Sequence, residues 1–313
     1  MTLGDLILDV VASATGPLAE GSDRSGRIVF RQGGSAANAA RWVAASGAEA
    51  VFVGAIGRDD WGGRLAEALR GAGVIPRLVV KRAATARIVA IVLPDGERTF
   101  VTDRGAADLL VPSDLRRVWF AKAGALHLPA YALYNRPLES AARRSVELAR
   151  AAGAIVSVDL ASRQPILDLG PAEARRRVLA VAPDILFANA AEAEAILEGR
   201  SLPALLDLAP IVVVKQGGAG CRVVARRAAT DVGRREARAG PADSFIAIEI
   251  ATTPVAATDT TGAGDAFAAG FLVRWLASGH AMPVTAADLR RAALAGHRTA
   301  RRLLSDPARS TID

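Results

Sequence analysis

The sequence is poor in cysteine, lysine and aromatic residues, and each scarcity narrows what the chain can be. Cys221 is its one thiol, so no intrachain disulfide can form, and its Gly-Ala-Gly-Cys-Arg setting has no metal or nucleophile pattern. Such cysteine usage suits a reducing cytoplasm. Lys81, Lys122 and Lys215 are the only lysines in a chain of net charge +7. The positive charge is therefore arginine, dispersed in pairs such as Arg143-Arg144 and Arg301-Arg302 among alanines. That spacing reads as solvated faces, and 4% aromatics leave little on which to stack bases, so no nucleic-acid partner is expected. A diffuse positive field still suits anionic substrates such as nucleotides. Long apolar runs are missing too, and Met1 to Asp9 lacks the basic flank and cleavage site of a signal peptide, so no membrane partner is expected.

What is present is ample apolar material, 51% of 313 residues, enough for one large α/β domain or two modest ones. Leu6 to Leu8 reads as a truncated first strand with Asp9 at its end; either that strand is short or the true start lies upstream. Ala50 to Ala55, a turn at Gly57-Arg58-Asp59-Asp60 and Trp61 to Arg70 form a strand, turn and helix. Ala125 to Leu128, Pro137 to Ala152 and Ala154 to Leu160 repeat the rhythm as a βαβ unit,. Asp184 to Ala188, Ile211 to Val214 and Phe245 to Ile250 supply further strands, and Thr285 to Leu304 a final amphipathic helix. This alternation predicts an α/β fold with a central, mostly parallel sheet and helices on both faces. One hairpin breaks it: Ala86 to Leu93 and Arg98 to Thr102 flank Pro94-Asp95-Gly96-Glu97, the mark of a small antiparallel flap.

The most informative stretch is Asp259-Thr260-Thr261-Gly262-Ala263-Gly264-Asp265-Ala266-Phe267. A Gly-Ala-Gly turn that opens a helix presents unpaired N–H groups and the positive end of the helix dipole to an anion. Asp265 is out of place in a simple phosphate cradle, since its charge repels the ligand. It fits either a base beside a transferring phosphoryl group or a cap on the helix. Two weaker signals accompany it. Gln32-Gly33-Gly34-Ser35-Ala36-Ala37-Asn38 is a glycine turn into a helix, with Ser35 the expected N-cap,. Asn189 and Glu192, three apart at a helix start, suit either a capping box or a magnesium site, and the two can coexist.

Together these segments resemble the ribokinase-like, or PfkB-type, carbohydrate kinases over essentially the whole chain. The resemblance implies a single domain, 1–313, with a small β lid from about 10–32 and 76–104. It implies an ATP-dependent phosphotransferase in which Asp265 is the base and Gly262, Ala263 and Gly264 form the anion hole. Asp9, Gly33, Gly34 and Asn38 would hold the acceptor, joined by Arg104 if it is not merely in a salt bridge. Asn189, Lys215, Gly217, Gly218 and Gly220 would border ATP, and Asn189 with Glu192 would act on Mg2+ partly through water. Asp259 corresponds to a monovalent-cation (K+) position, and the lid offers an edge for a homodimer,. The chain departs from the family at Asp159-Leu160-Ala161-Ser162-Arg163, which lacks the asparagine of the usual Asp-x-Asn-x-Arg, so no role is assigned there.

No Gly-x-x-x-x-Gly-Lys-Ser/Thr occurs, which excludes a P-loop kinase, and no dinucleotide fingerprint follows the first strand,. The acceptor class, sugar, sugar acid, sugar phosphate or nucleoside, stays open. A nucleoside kinase of the same fold and a non-catalytic sugar- or nucleotide-binding protein are the alternatives. The latter would show a damaged base or anion hole, and both are intact.

Overall fold

The computed structural model describes residues 1–18, 20–93, 98–227, 245–257, 259–279, 284–305 and 312. Two sheets organise them. In chain order the first elements are β1 (Thr2–Leu3), β2 (Ile7–Ala14), β3 (Gly26–Gly33), α1 (Ser35–Ala45), β4 (Ala50–Gly57), α2 (Asp60–Gly71) and β5 (Val74–Lys81). Next come β6 (Arg87–Val92), β7 (Arg98–Asp103), β8 (Ala125–Pro129), α3 (Tyr131–Tyr134), α4 (Leu138–Ala151) and β9 (Ile155–Asp159). They are followed by α5 (Arg163–Leu169), α6 (Pro171–Leu179), β10 (Ile185–Asn189), α7 (Ala190–Leu197), β11 (Ile211–Lys215), β12 (Cys221–Arg226) and β13 (Phe245–Ile250). The last are α8 (Ala263–Ala277) and α9 (Ala286–Leu304).

The large sheet has nine strands in the order β13-β12-β11-β10-β9-β8-β1-β4-β5, and β12 alone runs against the others. Its central strands are continuous apolar runs such as Ile211-Val212-Val213-Val214, because helices cover both faces,. Under α8, Phe187, Phe267, Phe271 and Trp275 pack with Val213 and Val223 in one buried cluster. Gly270 and Gly296 let α8 and α9 meet closely. A Cβ on Gly270 would fall 2.3 Å from Thr299 Oγ1, and one on Gly296 would strike the Phe267 carbonyl at 2.8 Å.

The smaller sheet has four strands, β3-β2-β6-β7. It corrects three expectations. The first strand of the large sheet is Thr2–Leu3, and the run read as that strand instead pairs in the smaller sheet from Ile7 onward. Asp9 is consequently mid-strand, opposite Arg31, and not at a sheet end. Residues 76–81, counted with the lid, belong to β5, the edge strand of the large sheet beside β4. The hairpin strands β6 and β7 pair antiparallel as the turn signal requires; the turn itself, 94–97, lies outside the described residues. Among the described residues no helix is long and apolar enough to cross a membrane.

Candidate active site

Three neighbouring parallel strands end in polar residues on one edge: Asp159 on β9, Asn189 on β10 and Lys215 on β11. Ligands of open α/β sheets collect at such ends. Lys215 Nζ donates to Asp159 Oδ2 at 2.5 Å, and Asp159 Oδ1 accepts from Ala161 N at 3.1 Å. Although burial opposes charge on both, the Lys215 ammonium holds the Asp159 carboxyl below the usual range, and Asp159 in turn keeps Lys215 above its own.

Asn189 and Glu192 form a reciprocal capping box: Glu192 N donates to Asn189 Oδ1 (2.9 Å) and Asn189 N to Glu192 Oε2 (2.8 Å). Asn189 Nδ2 also donates to Glu192 Oε1 at 2.6 Å. Burial, then the charge of Asp159, lifts the Glu192 carboxyl to about 7. The capping box is therefore formed, and both side chains line the cleft. Every Glu192 oxygen already accepts a hydrogen bond, so this pair fits a hydrated magnesium that arrives with phosphates better than a dedicated protein cage. Among the described residues no group of three or more His, Cys, Asp or Glu could hold a metal by itself.

The head of α8 faces these strand ends. Gly262, at φ 79, is the N-cap in a left-handed conformation that glycine adopts without strain,. Ala263 N donates back to Thr260 O at 3.1 Å. The amides of Gly264 and Asp265 have no protein acceptor among the described residues, which leaves them for an anion,. Gly264 has a second reason to be glycine: a Cβ there would come within 3.0 Å of Lys215 Nζ. The ammonium therefore occupies the space beside the cradle. Asp265 Oδ2 accepts from Asn38 Nδ2 at 3.2 Å, and Asn38 Oδ1 accepts from Gln32 Nε2 at 3.3 Å. Burial foremost, then the charge of Asp159, raises the Asp265 carboxyl well above the ordinary carboxylate range, against the pull of Lys215 and Asn38.

At the other end the small sheet and α1 close the cleft. The N-cap of α1 is Gly34, not Ser35, and the cap comes from a distance: Asp5 Oδ1 accepts from Ala36 N at 3.2 Å. Gly33 is bare because a Cβ would lie 2.3 Å from Asp9 Oδ2. Burial and the Asp5 charge raise the Asp9 carboxyl to about 7. Arg104 lines the cleft but is engaged: Nη1 donates to Asp5 (3.1 Å), Nη2 and Nε to Asp108 (2.8 and 3.2 Å). Its guanidinium also lies 5.3 Å over the Tyr131 ring. It is neither a surface salt bridge nor a free anion receptor.

Asp259 is engaged as well. Oδ2 pairs with Arg31 Nη1 at 3.1 Å, and Oδ1 accepts from Thr261 N at 3.0 Å. Arg31 therefore pairs with one oxygen of the carboxylate expected to serve a monovalent cation.

One cavity of about 660 Å³ gathers Asp265, Gly262, Ala263, Gly264, Asp9, Gly34, Asn38, Arg104, Asn189, Glu192, Lys215, Gly217, Gly218 and Gly220. Gly33 and Asp259 stand outside its lining. Gly220 is structural, since a Cβ would strike Ile250 O at 2.1 Å, whereas Gly217 opens onto free space. The cavity also takes Asp159, Tyr131, His297 and Thr252 to Val255, to which sequence reasoning gave no role. Asp159 had a readable signal, an acid closing a buried strand; the others lack one.

Residues 1–308 match the family described as pfkB family carbohydrate kinase. Fructokinase-1 of Oryza sativa subsp. japonica is 31% identical over 287 residues, 88% of this chain and 82% of that protein. The ATP-dependent ribose-1-phosphate kinase of Halopiger xanaduensis is 33% identical over 250 residues, 79% of this chain and 74% of its own length. In fold, the crystal structure of adenosine kinase from Sinorhizobium meliloti is similar with a TM-score of 0.79 at 24% identity, over 99% of this chain and 95% of that one. With a strand-end cleft, unpaired amides at the head of α8 and a half-buried carboxylate beside them, the chain, matched over residues 1–308, belongs to the pfkB family of carbohydrate kinases.

Proposed function

We propose that Asp265 is the general base of an ATP-dependent transfer to a hydroxyl of a small sugar-like acceptor. The observation that carries this reading is the grouping of Asp265, the unpaired amides of Gly264 and Asp265, and the Lys215 ammonium at the head of α8. The acceptor hydroxyl, oriented by Asp9 and Asn38, attacks the γ-phosphorus in line. Its proton passes to Asp265 as the bond to ADP breaks, and the amide cradle with Lys215 stabilises charge on the transferring group. Gly217 and Gly218 let the nucleotide pass close to the backbone beyond β11,. Magnesium, when it enters with the nucleotide, neutralises phosphate charge, and Asn189 and Glu192 would hold its water shell.

The smaller sheet acts as a lid in this reading. Arg31 on β3 and Arg104 just after β7 tie it to the catalytic loop and to Asp5, so closure would exclude water from the phosphoryl group. Its outer strands expose Ile28, Phe100 and Val101, apolar surface at two sheet edges that suits a homodimer. Light scattering that gives a monomer mass at micromolar concentration would remove the dimer.

The kinase reading is tested by ADP release from ATP and magnesium with and without acceptor. Acceptor-dependent ADP and a phosphorylated product are expected; ATP binding without any acceptor-dependent turnover would favour a non-catalytic binding protein.

A further inference from the structure

The acceptor end of the cleft is a mismatch between donors and acceptors. Arg104, the guanidinium that lines it, is committed to the protein. Each nitrogen of Arg104 donates to Asp5 or Asp108. Arg31 stands outside the lining, with Nη1 held by Asp259. Of the other cations that line the cleft, Lys215 is bound to Asp159 beside α8, and Arg301 projects from the exposed face of α9. Asp9 stands opposite, a lining carboxylate with no hydrogen-bond donor among the described residues. Ligand that enters here meets carboxylate oxygens of Asp5, Asp9 and Asp265, and the cation lining this end among the described residues, Arg104, is already paired.

We infer that Asp5 and Asp108 are specificity residues: by holding Arg104 they make the acceptor end fit an uncharged polyhydroxy compound and reject sugar phosphates and sugar acids. Hydroxyl groups supply the donors that Asp9 lacks. A phosphate or carboxylate would add a charge where no free donor can pair it, and an unpaired ionic group in a closed cleft is costly. The same field that lifts the Asp9 carboxyl to about 7, from burial and from Asp5, acts on any anion brought beside it. Discrimination of this kind comes from the repulsive element as much as from the attractive one. The inference rests on the kinase reading and narrows its acceptor.

The test compares kcat/KM of the full chain for fructose, ribose and adenosine with that for ribose 1-phosphate and gluconate, all with ATP and magnesium. Preference for an uncharged acceptor by at least about a hundredfold is expected. Turnover of ribose 1-phosphate or gluconate at least as fast as any uncharged compound overturns this inference while leaving the kinase intact. Silence with every compound sinks the kinase reading and the inference with it. In Asp108→Asn, which frees part of Arg104, the preference should shrink by about tenfold through a gain on the anionic acceptors; an unchanged ratio in a variant that melts normally overturns the role of Asp108.

Discussion

Asn38 Nδ2 donates to Asp265 Oδ2 at 3.2 Å, joining residues 227 positions apart across the cleft. The bond favours the ionised form of a carboxylate that burial otherwise pushes toward its neutral acid,. Asn38→Ala should therefore lower turnover at neutral pH by about tenfold and move the acid limb of the kcat profile to higher pH. A variant in which only the acceptor KM changes, with the limb in place, would limit Asn38 to substrate binding.

Lys215 and Asp159 form a buried pair beside the cradle. Lys215→Met strands the Asp159 charge and should cost about 3–5 kcal/mol of stability, together with about a hundredfold or more of kcat. Adding Asp159→Asn should restore much of the melting temperature without restoring turnover. Recovery of both would make the pair structural only.

Arg31 bound to Asp259 predicts independence from potassium. Replacing potassium with tetramethylammonium should alter kcat/KM by less than about twofold, because the Arg31 guanidinium already offsets the charge of this carboxylate,. Severalfold activation of the native enzyme by potassium would contradict this.

The pH dependence follows from two raised carboxyls. Asp265 stands well above the ordinary range and Asp9 near about 7. Both are neutral at low pH and ionise as it rises, so kcat/KM should climb through pH about 6–7, in place of a plateau that starts just above the ordinary carboxyl range of about 4. A profile flat down to pH about 5 would show that neither ionisation matters.

Much of this is legible in the sequence. The large sheet was readable because buried parallel strands are continuous apolar runs, and the head of α8 because Gly262, Ala263 and Gly264 open a helix. The edges of the small sheet were less so. Ile7 to Ala14 has the same β-branched composition in either sheet, and only pairing, Asp9 opposite Arg31, assigns it to the smaller one. The capping of α1 by Asp5, 31 positions away, leaves no local trace. Nor does the commitment of Arg104 and Asp259, since an ion pair depends on which loops fold together and not on spacing. Gly264 illustrates both sides: its absence of a side chain was readable, but that Lys215 fills the space was not.

The central claim is that Asp265 removes the acceptor proton and does little to bind the nucleotide. Asp265→Asn is close to isosteric and can keep the contact with Asn38 by an amide flip. Its kcat and its ATP dissociation constant should be measured on one preparation. The account predicts a loss of kcat by about a thousandfold or more with ATP affinity within a few-fold of native. Turnover within about tenfold of native would contradict it and return Asp265 to the role of a helix cap.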